Sequence, residues 1–274
     1  MDIKAFKMDG LGNDFVIIDQ RNQVLDLSKD QIIKICNRSY IGCDQLILIK
    51  KNRKIDAGLE FYNSDGSTSG ACGNGTRCVA DLLAKENDKK EIILWTSGGV
   101  LRSQILGNNL VETEIGIPKN NWDDIPLSEN LNTKNLNIKI LDKNNKEHFG
   151  GTAVNVGNPH VVFFVDNIED YDLEKTGPEI ENHNFFPEKC NVTIAKVINN
   201  DLIKVRVWER GAGLTKACGT AACATAVAGN INGLIGKKVD IEFALGKLSI
   251  FIDKNNSVHM KGPVSDIKNI EIKL

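Results

Sequence analysis

The sequence predicts an α/β fold, taken broadly to include α+β, in which two pseudo-symmetric domains arose by duplication within one chain. Two observations lead to this prediction. Short apolar segments of strand character are interleaved with a few helical segments, and landmarks of the first half recur in the same order in the second half. A chain of 274 residues, 41% hydrophobic and 26% charged, suffices for two domains with cores.

The elements of the first half follow from local patterns. Ser28, followed three residues later by Gln31, indicates a capping box that opens a helix running to about Arg38. A second helix is predicted after Cys72. Its apolar face consists of Cys78, Val79, Leu82 and Leu83. The predicted strands are Ile3–Met8, Phe15–Asp19, Gln45–Lys50, Leu59–Tyr62, Ile92–Thr96 and Val100–Leu106.

The internal repeat has four landmarks, each pair 145 to 148 positions apart. They are GLGNDFVI (10–17) with NVGNPHVV (155–162), Asp44–Gln45 with Cys190–Asn191, FYNSDGSTSGACG (61–73) with VWERGAGLTKACG (207–219), and Gly98 with Gly246. A period this long indicates two homologous domains and not a solenoid.

The repeat also sets the expected domain bounds. We expect one domain at residues 1–117 with 263–274, the last dozen residues returning to it as a strand. The other domain is expected at residues 118–262.

Charge and composition exclude several classes of protein. A net charge of -2 and a pI of about 6.1 offer no basic surface for nucleic acid or an anionic membrane. The N-terminus, MDIKAFKMDG, lacks the apolar core of a secretory signal, and runs such as HVVFFV are too short to span a bilayer. Seven cysteines in a chain of this length are interpreted as thiols in a reducing cytoplasm.

Cys72 and Cys218 are equivalent positions of the repeat, each in an Ala-Cys-Gly segment. Equivalent residues of a duplicated protein are expected on opposite sides of the interdomain cleft. Inverting an α-carbon requires a base on one face and an acid on the other, and a helix N-terminus lowers the pKa of a cysteine enough for this work. The N–H groups there can also bind the substrate carboxylate. The other cysteines, Cys36, Cys43, Cys78, Cys190 and Cys223, are interpreted as inert packing.

Metal and nucleotide sites are not expected. The sequence contains no Cys-x-x-Cys pair, and its histidines lack the spacing of zinc ligands. No Walker lysine follows the glycine-rich loops, and Gly10–Leu11–Gly12 is not completed as a dinucleotide fingerprint.

These segments closely resemble the diaminopimelate epimerase family across essentially the whole chain. The matching motifs are GLGNDF, YNSDGS with CGNGTRC, GNPH, and WERGAG with ACGT. The resemblance implies two similar halves, each a β-barrel-like sheet around a central helix, with the active site between them. It also implies epimerisation of LL-2,6-diaminopimelate to the meso form for lysine and peptidoglycan precursors, with no pyridoxal phosphate, metal or nucleotide.

The resemblance also implies residue roles. Cys72 is expected as the thiolate that accepts the α-proton and Cys218 as the thiol that returns one, with His160 and Glu209 tuning the thiols. Glu209 and Arg210 are expected to bind the other end of the substrate. The groups expected at the reacting carboxylate are Gly73, Asn74, Gly219 and Thr220, and the further substrate-binding positions are Asn13, Gln45, Asn63, Asn158 and Asn191. A structural role for His160 is an open alternative.

Three residues depart from the family pattern, namely Asp9, Tyr40 and Ala221. Ala221 replaces a glycine close to Cys218, which affects the expected carboxylate geometry.

The alternative functions are that of a related racemase of another amino acid, such as histidine or proline, and that of an inactive homologue or thiol-redox binding protein. Diaminopimelate is preferred because Glu209 and Arg210 suit a second ammonium and carboxylate. The expected partners are a small amino acid and, as one option, a second copy of the chain in a homodimer.

Overall fold

A computed structural model describes residues 2–23, 25–70 and 72–274. In that part of the chain there are four α-helices: α1 (Lys29–Cys36), α2 (Gly73–Asn87), α3 (Leu173–Glu181) and α4 (Gly219–Ile231). A short 3-10 helix spans Ile168–Asp170. None of these helices is long and apolar enough to cross a membrane. The alanine of the first Ala-Cys-Gly segment, Ala71, lies outside the described residues.

Nineteen strands are present in the described residues, and the α/β class is thereby confirmed. They are β1 (Asp2–Gly10), β2 (Asn13–Asp19), β3 (Gln45–Lys50), β4 (Ala57–Asn63), β5 (Thr68–Ser69), β6 (Glu91–Thr96), β7 (Gly99–Gly107), β8 (Leu110–Gly116), β9 (Ile138–Leu141), β10 (Glu147–Gly150), β11 (Thr152–Asn155), β12 (Pro159–Phe164), β13 (Asn191–Asn199), β14 (Leu202–Glu209), β15 (Gly213–Thr215), β16 (Lys238–Phe243), β17 (Gly246–Ile252), β18 (Val258–Pro263) and β19 (Lys268–Lys273). Each of the six predicted strands lies within an observed strand.

The capping box of α1 is confirmed. Ser28 Oγ accepts a hydrogen bond from the Gln31 N–H, and Gln31 Oε1 accepts one from the Ser28 N–H. The helix ends at Cys36, before the expected end near Arg38, because Asn37 turns into extended backbone at φ -63° and ψ 125°. Arg38, now outside the helix, donates to both carboxylate oxygens of Asp14 at 2.7 Å.

Packing divides the chain into two compact units, the first comprising residues up to Glu114 with Lys261–Leu274, and the second Ile115–Met260. The bounds expected from the repeat, near 117 and 263, stay a prediction. In the first unit α2 packs against β1, β2, β6 and β7, and its apolar side chains join the core. Strand β19 pairs antiparallel with β1, from Asp2 opposite Lys273 to Lys7 opposite Lys268.

In the second unit α4 packs against β11, β12, β13, β16 and β17. The helix is apolar on nearly every side, and ten of its thirteen residues are buried. A helix of that composition is stable only when protein surrounds it. Accordingly, α4 lies among the strands of its unit and is largely buried there.

Both units use the same order of strand pairings. In the first unit β2 pairs in parallel with β3, β3 antiparallel with β4, β4 in parallel with β6, and β6 antiparallel with β7. In the second unit the same four relations join β12, β13, β14, β16 and β17. The two repeated sheet domains predicted from the sequence are therefore confirmed.

The shared topology puts polar residues at the ends of strands. In the first unit Asn13 opens β2, and Gln45, which opens β3, lies opposite Asn63 at the end of β4. In the second unit Asn191 opens β13 and Glu209 closes β14. Neighbouring strands thus present these polar side chains at corresponding edges of the two sheets.

Candidate active site

Cys72 is the N-cap residue of α2. Its backbone is extended, at φ -141° and ψ 111°, and its Sγ accepts a hydrogen bond from the Gly75 N–H at 3.5 Å. The first N–H groups of a helix have no carbonyl partner inside it and form the positive end of the helix dipole. They therefore favour the thiolate of Cys72, and Gly73 and Asn74 contribute the first two of them.

Gly75 lets α2 approach the sheet closely at this point. A Cβ at Gly75 would lie 2.7 Å from Ile47 Cδ1 and 3.0 Å from the Phe61 ring, closer than packed atoms allow. The glycine is thus required by close packing, which holds Cys72 at the edge of the sheet.

Two asparagine amides adjoin Cys72. Asn13 Oδ1 lies 3.7 Å from the sulfur and accepts a hydrogen bond from Asn74 Nδ2 at 3.3 Å. Asn13 Nδ2 donates to Asp44 Oδ2 at 3.1 Å. Asn13, Asn74 and Cys72, three of the predicted site residues, are therefore brought together within the first unit.

Gln45 and Asn63 form a second pair in this unit. Gln45 Nε2 donates to Asn63 Oδ1 at 2.9 Å, and Asn63 Nδ2 donates to Ser67 Oγ at 3.0 Å. Gln45 Oε1 is buried and has no hydrogen-bond partner among the residues that the structure describes. A buried acceptor without a partner is costly, so this oxygen is available to a donor on a ligand.

Cys218 occupies the equivalent cap position of α4, with nearly the same backbone at φ -135° and ψ 118°. Its thiol donates to Glu209 Oε2 at 3.1 Å and lies 3.4 Å from Thr220 Oγ1. Burial, together with the negative charge of Glu209, raises the pKa of Cys218 well above its ordinary value. The Thr220 hydroxyl and the Ala221 N–H act in the opposite direction without offsetting this.

The two cysteines therefore share a backbone position and differ in the environment of the sulfur. Cys72 Sγ accepts a cap hydrogen bond from the Gly75 N–H and lies 3.7 Å from the neutral amide oxygen of Asn13. The Ala221 N–H acts on Cys218 in a similar way, but the Cys218 thiol donates to the charged carboxylate of Glu209. The carboxylate favours the thiol form of Cys218, whereas the oxygen beside Cys72 is neutral. Gly219 and Thr220 open α4 as Gly73 and Asn74 open α2.

His160 is fully buried beside two predicted site residues. Its Nε2 lies 2.9 Å from Asn158 Oδ1 and 3.5 Å from Asn191 Nδ2. Burial, reinforced by the positive charge of Arg210, lowers the pKa of His160 to about 3, so the ring is neutral. Its Nδ1 has no partner among the described residues, and the predicted influence of His160 on a thiol stays a prediction.

Arg210 lies on a loop held from both sides. Its N–H donates to Asn191 Oδ1 at 3.0 Å, and its Nη1 donates to the Glu188 carbonyl at 2.8 Å. The rest of the guanidinium fork is therefore oriented by a fixed backbone, which suits recognition of a carboxylate.

Sequence reasoning missed Glu181, a buried carboxylate at the end of α3. Glu181 accepts hydrogen bonds from Trp208 Nε1 at 2.7 Å and from the Gly211 N–H at 3.2 Å, so it braces the loop that carries Arg210. A Cβ at Gly177 would lie 2.5 Å from the Trp208 ring, so α3 packs directly on this indole. Nothing in the local sequence around Glu181 indicates this role.

The three departures from the family pattern are accommodated in different ways. Tyr40 Oη donates to the Lys273 carbonyl and accepts from the Lys273 N–H, both at 2.9 Å. Asp9 Oδ1 accepts from the Gly12 N–H at 3.1 Å. Ala221, at the position equivalent to Gly75, is fully buried in α4.

In the described part of the chain, no group of three or more His, Cys, Asp or Glu side chains could hold a metal ion.

Solved structures share this fold across almost the whole chain. A predicted epimerase from Pseudomonas aeruginosa aligns with a TM-score of 0.70 and 15% identity, covering 99% of both chains. A hydroxyproline epimerase from Agrobacterium vitis aligns with a TM-score of 0.68 and 13% identity, covering 98% of this chain and 91% of its own. The protein thus shares the fold of both of these structures.

Sequence comparison is more specific than the fold. The pattern of the diaminopimelate epimerase family matches residues 5–120 and 152–267. A diaminopimelate epimerase from Pelagibacter ubique (strain HTCC1062) is 75% identical over 274 residues, covering 100% of both chains. One from Acidiphilium cryptum (strain JF-5) is 42% identical over 260 residues, covering 94% of this chain and 92% of its own. The chain belongs to the diaminopimelate epimerase family, which confirms the resemblance of its motifs.

Proposed function

We propose that this protein, an isomerase, converts LL-2,6-diaminopimelate to the meso isomer, with Cys72 and Cys218 as the base and acid. Family membership and the 75%-identical relative support the reaction, which serves lysine biosynthesis. The observation that carries the thiol roles is the contrast between the caps. Cys72 Sγ accepts from the Gly75 N–H and lies beside the neutral oxygen of Asn13, whereas the Cys218 thiol donates to the charged carboxylate of Glu209.

In the direction toward the meso form, the Cys72 thiolate removes the α-proton and becomes a thiol. The electron pair of the broken C–H bond stays on the α-carbon and spreads into its carboxylate. The Cys218 thiol then delivers its proton to the opposite face of that carbon and becomes a thiolate. The reverse reaction begins from this second protonation state, so the two cysteines exchange roles.

The α-carboxylate binds, in this proposal, to the N–H groups that open the two helices. Gly73 and Asn74 supply them from α2, and Gly219 and Thr220 supply them from α4. These groups hold fixed positive partial charge where negative charge develops in the carbanion, which lowers the barrier to removing a very weakly acidic proton.

The other end of the substrate is assigned to the polar strand ends. Glu209 and Arg210 provide charges for an ammonium and a carboxylate, and Gln45 Oε1 offers a buried acceptor. Asn13, Asn63, Asn158 and Asn191 complete the proposed binding residues. A racemase of histidine or proline is less well supported, because such a substrate lacks a second zwitterionic end.

The location and assembly remain proposals as well. All seven cysteines are free thiols, which supports work in the reducing cytoplasm. A homodimer is the assembly that we propose for testing by light scattering.

The reaction is tested by adding LL-diaminopimelate to purified, reduced protein without cofactor and following the meso product. In deuterated water, solvent deuterium should enter the inverted α-carbon. Cys72→Ala and Cys218→Ala should each abolish epimerisation, and Cys36→Ala should retain it. Near-normal turnover by Cys218→Ala would exclude the two-thiol mechanism, and absence of turnover by the unaltered protein would exclude the substrate.

A further inference from the structure

Arg77 is a fully buried cation in the second turn of α2. It is the largest of the side chains with essentially no exposed surface, and its Nη2 donates to Asn74 Oδ1 at 2.9 Å. An arginine carries hydrogen-bond donors and no acceptor. It therefore fixes which way the Asn74 amide faces, with the oxygen toward Arg77 and the nitrogen away from it.

The orientation set by Arg77 passes to a second amide. Asn74 Nδ2 donates to Asn13 Oδ1, and Asn13 Nδ2 donates to Asp44 Oδ2. Asp44 is a carboxylate paired with Arg38 at 2.6 Å, so it can only accept. A donor-only group thus stands at one end of the two amides and an acceptor-only group at the other. If either amide were rotated by 180°, a donor would face a donor at one of its contacts and an acceptor would face an acceptor at the other.

The orientation of the two amides determines which atom of Asn13 faces the sulfur of Cys72. With both amides held in this sense, Asn13 presents its oxygen to Cys72 Sγ at 3.7 Å, while the Gly75 N–H presents a donor at 3.5 Å. The donor matches the thiolate, and the acceptor matches the thiol that forms once a proton is taken. A proton-shuttling sulfur needs a partner in each of its two states.

We propose that Arg77 is a positioning residue for the Cys72 base, acting by orienting the Asn74 and Asn13 amides and by placing a buried positive charge near the thiolate. The proposal deepens the proposed function and rests on it for the role of Cys72. Arg77 contacts the side chain of Asn74, whose amide in turn contacts Asn13, and its proposed effect on the sulfur is transmitted through these two amides.

Other ionisable groups surround this part of α2. The helix itself carries Asp81, which pairs with Lys85 at 2.7 Å, and the buried thiol of Cys78. Asp9 lies at the end of β1, and Asp44 stands behind Asn13. The buried positions of β2, β6 and β7 facing the core are apolar or hydroxyl side chains, namely Phe15, Ile17, Ile92, Leu94, Thr96, Leu101 and Ser103. Asp81 and Asp44 thus pair with Lys85 and Arg38, and Arg77 is the fully buried cation of α2.

The test measures Cys72 directly, without substrate. The rate of Cys72 alkylation by iodoacetamide is followed from pH 6 to 10 by mass spectrometry of its peptide, in full-length protein. In Arg77→Met the midpoint should rise by about one pH unit, and kcat near pH 7 should fall about tenfold with a smaller change in KM. Arg77→Lys keeps the charge and a donor, and should stay within about threefold of the unaltered kcat.

A matched control and a second variant keep the test decisive if Arg77→Met folds poorly. Lys90→Met removes an exposed cation just beyond the end of α2 and should leave the Cys72 profile unchanged. Asp44→Ala removes the acceptor at the half-exposed far end of the amide pair, and should lower kcat by about threefold or more, since the Asn13 amide nitrogen then loses the carboxylate that holds it.

The results distinguish failure of the positioning role of Arg77 from failure of the proposed reaction. A folded Arg77→Met variant whose alkylation midpoint and kcat both match the unaltered protein would overturn the proposal, as would a normal kcat in Asp44→Ala. An alkylation shift in a protein that does not epimerise diaminopimelate would retain the positioning role of Arg77 and remove the proposed reaction instead.

Discussion

Glu209 Oε2 lies 3.1 Å from Cys218 Sγ and accepts a hydrogen bond from this thiol. The carboxylate and the burial of the sulfur together hold the pKa of Cys218 high, whereas a helix N-terminus alone would lower it. An acid that must keep its proton until the carbanion forms benefits from this arrangement. Glu209 therefore determines which of two equivalent cap cysteines begins the reaction as the thiol.

Glu209→Gln should lower the pKa of Cys218, because it removes a negative charge and retains an oxygen that can accept a hydrogen bond from the thiol. Alkylation of Cys218 at pH 8 should become faster, and epimerisation should become slower by about ten- to a hundredfold. Glu188→Gln is the matched control, since this side chain is exposed and only its backbone carbonyl contacts Arg210. Unchanged Cys218 alkylation in Glu209→Gln would contradict the assignment.

Arg210→Lys should weaken binding of diaminopimelate by about ten- to a hundredfold, or roughly 1.5–3 kcal/mol, because an ammonium lacks the planar pair of donors. An analogue without the distal carboxylate should lose much less, since it never made that contact. The measurement is kcat/KM for both compounds with both proteins. Equal losses for the two compounds would show that Arg210 does not bind the distal end.

His160 should make the protein sensitive to acid. Its pKa in the folded state is about 3, below the ordinary value of about 6.5 in an unfolded chain. Between these values the unfolded chain binds the extra proton, so the free energy of unfolding falls as the pH drops from about 6.5 toward 3, by up to ~1.4 kcal/mol per pH unit. Urea titrations of the unaltered protein and His160→Gln from pH 7 to 4.5 measure this difference. A slope that the substitution leaves unchanged would assign the acid sensitivity to other groups.

Tyr40→Phe should destabilise the first unit without affecting catalysis. The hydroxyl makes two hydrogen bonds to the backbone of Lys273, and 40% of the tyrosine is exposed, so water can replace part of what is lost. We expect a loss of about 1 kcal/mol in the free energy of unfolding, measured with urea. Tyr62→Phe, which removes one contact to Glu60 at 3.2 Å, should cost less. A lower kcat/KM in Tyr40→Phe would show that this contact also reaches the site.

Much of the fold could be predicted because its signals are local. The capping box of Ser28 and Gln31, the apolar character of α4 and the strand patterns each depend on residues close in sequence. The repeat then identified Cys72 and Cys218 as equivalent, and the structure places both at the same cap position. The end of α1 was less accessible, since it depends on the turn at Asn37.

The surroundings of the thiols could not be predicted in the same way. The roles of Glu181 and Asp44 depend on contacts with residues distant in sequence, and the role of Arg77 depends on its burial. Long-range contacts and the burial of a single side chain leave no periodic pattern in the sequence. Asp44 and Asn13 are separated by 31 positions, and Glu181 and Gly211 by 30. The presence of Arg77 inside the buried stretch of α2 is itself a signal, because an arginine is almost never buried without hydrogen-bond partners.

The pairing of β19 with β1 constrains the order in which the chain completes its structure during translation. Strand β1 leaves the ribosome first, yet its neighbour at residues 268–273 is synthesised only after all of Ile115–Met260. The second unit is continuous in sequence and has its strands available earlier. One side of β1 therefore stays an open hydrogen-bonding edge for most of synthesis, exposed to pairing with other nascent chains. Ribosome-bound chains stopped before Lys268 should consequently protect the second unit from protease before the first.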